Sequence, residues 1–201
     1  MTPSFVVAPI VEGHGEVAAL PALLRRMVPE IDPDRPVAVR PPIRMGRGLV
    51  ARANELERRV DLAARRVKAD GGAVLVLFDG DDDCAATLGP ALQHRVQECR
   101  PDVPSAAVIA VREFEAWYLA SAQSLAGRRG LPPDLAAPSD AEAVRDAKGW
   151  LQERRTDGLA YSPTIDQPAL AGLFDMAAAR SHAPSFDKLW REIERLLVET
   201  A

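Results

Sequence analysis

The stretch AVLVLFDGDDD, residues 73–83, decides the reading of this chain. Ala73 to Phe78 is six apolar residues in a row, with none of the polar alternation of a strand that has one wet face. A run of this length and β-branched content suits a strand at the centre of a parallel sheet, covered on both sides. It stops abruptly at Asp79-Gly80-Asp81-Asp82-Asp83. Upstream, Gly71-Gly72 closes an arginine-rich amphipathic helix over Leu49–Ala69. Further back, Val37–Ile43 reads as a strand that Pro41 and Pro42 weaken and push to a sheet edge. Val17–Val28 has apolar residues at helical spacing, and Phe5–Val11 is a second buried run ending at Glu12-Gly13. Downstream come a helix over Ala85–Cys99, a buried strand over Ala106–Val111 and a helix over Glu113–Ala122. Strand and helix in repeated alternation predict a doubly wound, mostly parallel α/β sheet flanked by helices.

After Ser124 the texture changes. Pro132, Pro133, Pro138, Pro163, Pro168 and Pro184 punctuate short helical patterns without a strand among them. The expected organisation is an α/β core over 1–125 and a helical C-terminal portion over 126–201, packed together as one domain. The last helix, Phe186–Glu199, has Ser185 as its expected N-cap.

The chain has 201 residues, 47% hydrophobic and 27% charged, which is enough to bury one sizeable core. A net charge of -4 gives no global basic footprint and counts against a stand-alone DNA-binding module. It leaves room for a nuclease, whose active site is itself acidic. All but three of the 25 cationic residues are arginine, well shaped for phosphate, though genomic base composition produces the same bias. Cys84 and Cys99 lack metal-type spacing. With no signal-like N-terminus and no apolar run of membrane-spanning length, the expectation is a soluble, cytoplasmic protein with no membrane partner.

Three acidic groups fall just beyond three expected strands, at the sheet edge where ligands bind in open α/β folds. Glu12-Gly13-His14-Gly15-Glu16 can bring two carboxylates to one side of a first helical turn. Asp79, Asp81 and Asp83 follow the central strand at alternate positions and repel one another without a neutralising cation. Glu113 and Glu115 follow the third strand. Hard oxygen donors of this kind select Mg²⁺ or Mn²⁺ over zinc. Each group also has a plain structural reading. Glu12 and Glu16 suit a helix N-terminus, Asp83 suits a helix cap, and Glu113 or Glu115 suits a helix start. It is the convergence of all three on one edge that points to a site.

Strand–Glu-Gly-x-x-Glu–helix followed by strand–Asp-x-Asp resembles the Toprim signature of topoisomerases, primases and OLD-family nucleases. With VREFEAWYLA at 111–120, Lys148 in DAKGW, YSPTIDQP at 161–168 and SFDKLW near the end, the chain is similar to a bacterial Toprim-related family of the domain of unknown function 4276 type. The resemblance implies a Toprim-like, Rossmann-like core. It implies Glu12 as general acid/base or metal ligand, Asp79 and Asp81 as the main Mg²⁺ ligands, Asp83 and Glu16 as further ligands, and Glu115, or else Glu113, at a second metal. Two ions about 4 Å apart stabilise the attacking and leaving oxygens of an in-line displacement. Lys148 would balance phosphate charge, and water would be the nucleophile, since no topoisomerase-type tyrosine is identifiable. Members often lie beside ATPases in phage-defence settings, which makes an ATPase a candidate partner.

Arg44, Arg47 and Arg52 around Gly46 and Gly48 form a basic loop that either grips a nucleic-acid backbone or is a solvated connection. Trp117 and Tyr118 suit the core better than base stacking, and Trp150 and Trp190 read as core residues of the helical third. His14 suits an exposed loop as well as a phosphate contact. Tyr161–Asp166 either folds over the acidic edge as a lid or is a structural turn. The expected function is a Mg²⁺-dependent nuclease acting on DNA or RNA. The alternatives are a non-catalytic partner or binding subunit of an ATPase and a phosphatase-like enzyme using Asp79 as nucleophile.

Overall fold

The computed structural model describes residues 4–50, 52 and 54–201. Five parallel strands, β1 (Phe5–Val11), β2 (Val37–Val39), β3 (Ile43–Arg44), β4 (Ala73–Asp79) and β5 (Ser105–Ala110), form one sheet. The order is β2-β1-β4-β5, with β3 continuing the β2 edge beside the end of β1. Val7 pairs with Ala73 and Val74 with Ser105.

Side-chain parity explains the uninterrupted apolar runs. Phe5, Val7, Val11, Leu75, Leu77, Ala106 and Val108 face one core, against α1 (Glu16–Ile31) and the C-terminal helices. Val6, Ala8, Ile10, Val74, Val76, Phe78, Ala107 and Ile109 face a second core, against α2 (Glu55–Val67) and α3 (Ala85–Cys99). Helices on both faces let the sheet grow in both directions from β1, as the right-handed crossover rule requires. The reversal falls between β1 and β4, and the crevice there is where open α/β sheets bind ligands.

The remaining helices are α4 (Ala116–Ala120), α5 (Ala147–Glu153), α6 (Pro163–Ala171), α7 (Met176–His182) and α8 (Pro184–Glu199). α6 lies along α1, while α8 packs on β5 and α7. Beyond residue 125 there is no strand among the described residues. Among the described residues no helix is long and apolar enough to cross a membrane.

Several boundaries differ from expectation, each for a local reason. Val37–Ile43 splits into β2 and β3 because Pro41 and Pro42 cannot donate to the ladder. α2 starts at Glu55, not Leu49, because Arg47–Leu49 makes a separate 3₁₀ turn and Asn54 is left-handed at φ 62°. α4 starts at Ala116, not Glu113. Arg112 is left-handed at φ 63°, and the Phe114 N–H goes to the Asp79 carboxylate instead of a cap. Ser185 is not the N-cap of α8; its Oγ accepts from Trp117 Nε1 at 2.8 Å and donates to Glu142 Oε1. The N-cap position of α3 is Cys84, so Asp83 does not cap it. Trp117 and Tyr118 are fully buried and Trp190 nearly so, but Trp150 is half-buried under the Arg154 guanidinium, 3.7 Å from its ring centre.

Candidate functional site

Glu12 stands one residue beyond β1, and Asp79 is the last residue of β4, the neighbouring strand. The pair therefore flanks the topological switch. Behind them Glu16 opens α1, only 5% exposed, and its carboxylate accepts from the Gly13 N–H and from Gln167 Nε2 at 3.1 Å. The glycines of the first motif serve close approach. A Cβ on Gly13 would strike the Glu16 carboxylate, and one on Gly15 would strike the Gln167 amide and come within 2.7 Å of the Pro163 carbonyl oxygen.

The loop after β4 is clipped to the loop after β5. Gly80 N–H donates to Ala110 O at 2.7 Å, Asp81 N–H to Arg112 O at 2.9 Å, and Phe114 N–H to Asp79 Oδ1 at 2.8 Å. Asp81 (φ 48°) and Arg112 (φ 63°) are both left-handed, a costly conformation for residues with a Cβ. Two such residues facing each other at one sheet edge mark it as a place where geometry outranks local stability.

The carboxylates sort into two groups, each closed by a cation. Lys148 Nζ lies 2.9 Å from Glu113 Oε1, 3.1 Å from Glu115 Oε2 and 3.6 Å from Asp79 Oδ2. Its backbone N–H also donates to Glu113 Oε2 at 3.0 Å. Arg47 donates to the carbonyl oxygens of Asp79 and Gly80 and to the Asp83 carboxylate. Its Nη1 lies 3.6 Å from Asp81 Oδ2 and 3.8 Å from Glu12 Oε2. Asp82 turns outward to Arg112 and Arg145 and takes no part.

Burial is the main force on the proton affinities. It pushes Glu12 up to about 6, against the pull of Arg47 and with help from Asp81 and Glu16. It pushes Glu115, fully buried, up to about 7, and holds Asp79 well above the usual carboxylate range despite Lys148. For Lys148 burial acts the other way, but Glu115, Asp79 and Glu113 more than reverse it and keep the ammonium charged. Glu12 Oε2 is buried without a hydrogen-bond partner among the described residues. Glu115 Oε2 likewise has none, its contact with Lys148 being out of hydrogen-bonding alignment.

Asp79, Glu113 and Glu115 thus gather around Lys148, while Glu12, Asp81 and Asp83 lie on the Arg47 side, the last two of them exposed. Arg44 and Arg52 are exposed, but Arg47 is turned inward rather than free to grip a phosphate. His14 is exposed. The 161–167 segment does lie over the edge: Tyr161 OH donates to Glu115 Oε1 at 3.0 Å and Gln167 holds Glu16. Asp166 does not reach the acids; it anchors the segment through Arg129 at 2.8 Å and Arg155 at 3.1 Å. Gln167 and the Glu113–Lys148 contact have no signal in the sequence, since their partners are joined by tertiary folding alone.

Among the described residues no three His, Cys, Asp or Glu side chains meet around one point as metal ligands would. The side-chain oxygens gathered there are mostly carboxylate, the donor type that hard divalent cations take. Seven carboxylates (Glu12, Glu16, Asp79, Asp81, Asp83, Glu113 and Glu115) share the edge with two inward cations, and three of the seven are driven toward protonation.

Fold and edge together define an α/β protein with a parallel sheet and a carboxylate-rich site at its C-terminal rim. The chain belongs to the family described as Domain of unknown function (DUF4276), whose profile matches residues 11–194 and so takes in every residue of the site. No curated protein and no solved structure matches the chain.

Proposed function

We propose that the chain is a Toprim-like phosphodiesterase of the cytoplasm, dependent on Mg²⁺ or Mn²⁺ and acting on nucleic acid, within a multi-protein defence or toxin-type system that includes an ATPase. The observation that carries this reading is the placement of Glu12 and Asp79 at the ends of neighbouring strands on either side of the switch point, both with raised proton affinity. Asp79, Asp81, Glu16, Asp83 and Glu115 would hold one or two ions, which when bound supply Lewis-acid stabilisation and a more acidic water. Glu12, pushed up to about 6, is suited to accept and return a proton near neutral pH. Lys148 would supply a permanent positive charge toward a phosphate bound at this edge. A cavity of about 270 Å³ opens on the Arg47 side, between Glu12, Arg47, Phe78, Asp83 and Leu92. Asp79→Ala is expected to abolish metal-dependent cleavage of DNA or RNA while circular dichroism stays native. Cleavage at the wild-type rate would overturn the assignment.

The closure of both acidic groups by internal cations favours a second reading, a non-catalytic subunit whose edge docks a basic partner. Absence of hydrolysis with any divalent metal, even with the partner ATPase present, together with ATPase binding that Asp79→Ala weakens, would favour it. Asp79 ends β4 and not the first strand, and a phosphatase-type nucleophile there leaves Glu12 and Glu16 without a role, which weighs against that reading.

A further inference from the structure

We infer that Arg47 is a built-in counter-cation for the Glu12–Asp81–Asp83 half of the edge, and that a divalent ion reaches those carboxylates by displacing it. The inference rests on the metal-binding reading above and adds its regulation. One guanidinium is surrounded by five oxygens: the carbonyls of Asp79 and Gly80, the Asp83 carboxylate, Asp81 Oδ2 at 3.6 Å and Glu12 Oε2 at 3.8 Å. Carbonyl and carboxylate oxygens converging from one loop are the donor set a hard cation takes. The positive group standing there now belongs to the chain itself.

Charge and geometry make the two occupants exclusive. A guanidinium and a divalent ion within a few ångströms of the same carboxylates repel each other strongly in a partly buried site. The two long contacts, to Glu12 and Asp81, show that the fork satisfies only part of the negative charge. Glu12 Oε2 is left buried without a hydrogen-bond partner among the described residues. A compact ion of twice the charge suits those oxygens better than the planar fork does.

Lys148 differs. It rides on α5, and its own backbone N–H is bonded to Glu113, so its ammonium is fixed by its helix. Arg47 sits in an isolated 3₁₀ turn, flanked by Gly46 and Gly48, and its long side chain can swing outward. Displaced, it joins exposed Arg44 and Arg52 beside the acidic edge. Metal entry thereby creates the basic strip that a phosphate backbone needs, and orders the events as metal first, nucleic acid second.

The test is Mn²⁺ affinity, measured by calorimetry and by the loss of free-ion paramagnetic resonance. Arg47→Met and Arg47→Gln remove the charge, the second keeping donors for the two carbonyls should the first fold poorly. Both are expected to bind Mn²⁺ about tenfold more tightly than wild type, since charge-assisted hydrogen bonds of this kind no longer compete. Arg47→Lys is expected to stay near wild type. Equal or weaker binding in folded Arg47→Gln overturns the inference, as does tightening by Lys148→Met instead. If wild type binds Mn²⁺ in an Asp79-dependent way and the Arg47 variants match it, this inference alone fails. If none of the proteins binds Mn²⁺, the metal-binding reading fails with it.

Discussion

The Tyr161 hydroxyl donates a 3.0 Å hydrogen bond to Oε1 of Glu115. It ties the helical C-terminal third to the loop after β5, at a carboxylate with no solvent exposure. Because the bond stabilises the charged form of Glu115, Tyr161→Phe removes a donor that opposes burial. The variant is expected to lose about 1–2 kcal/mol at pH 8 and to titrate Glu115 above the wild-type value of about 7. Chemical denaturation and carbon-detected NMR of the Glu115 carboxyl measure the two effects.

Glu115 also sets a pH dependence whose sign is opposite to that of an ordinary paired carboxylate. Its folded value of about 7 lies above the unfolded value of 4.5, so the folded state holds the proton longer. The contribution to stability is full below pH 4.5 and is lost as pH rises to 7 and beyond. Glu12, folded at about 6, adds in the same direction over a narrower window. Metal-free wild type is therefore expected to lose stability between pH 5 and 8. Glu115→Gln should flatten that slope by roughly 2–3 kcal/mol. Urea denaturation of both proteins across the range tests it.

Lys148→Met leaves Glu113, Glu115 and Asp79 without their shared ammonium. Breaking such a buried set costs about 3–5 kcal/mol when the partner charges stay ionised. The loss should be largest at pH 8 and shrink toward pH 5, where Glu115 holds a proton instead. A loss equal at both pH values would mean that Lys148 contributes through packing alone.

Gly15→Ala places a methyl group on the Gln167 amide and the Pro163 carbonyl. Overpacking of this kind costs about 1–3 kcal/mol. It should also raise proteolytic sensitivity near Tyr161, because the segment can relieve the clash by lifting from the edge. Limited proteolysis with mapped cleavage sites reads this out.

How much of this was legible in the sequence varied with range. AVLVLF declared a doubly covered strand because both faces of β4 meet helices, and Pro41-Pro42 marked the broken edge. The positions of Glu12 and Asp79 followed from strand ends alone. Asn54 and Arg112 delayed the starts of the expected helices by adopting left-handed backbone, a choice that the identity of Arg112 does not announce. The inward turn of Arg47, the Gln167–Glu16 bond and the Glu113–Lys148 contact join residues 32 to 151 positions apart. Pairings at that distance leave no local pattern, so in a basic loop read as either a phosphate grip or a solvated connection, Arg47 proved to be bonded to the chain's own acids while Arg44 and Arg52 are exposed.

The edge between β1 and β4 is proposed to hold a hard divalent cation. Anomalous scattering from crystals soaked in Mn²⁺ tests it most directly. One or two peaks within ligand distance of Asp79 and Glu12, absent in Asp79→Ala, are the predicted result. Crystals with no manganese there, and with Arg47 and Lys148 still closing the two acidic groups at millimolar Mn²⁺, would contradict it.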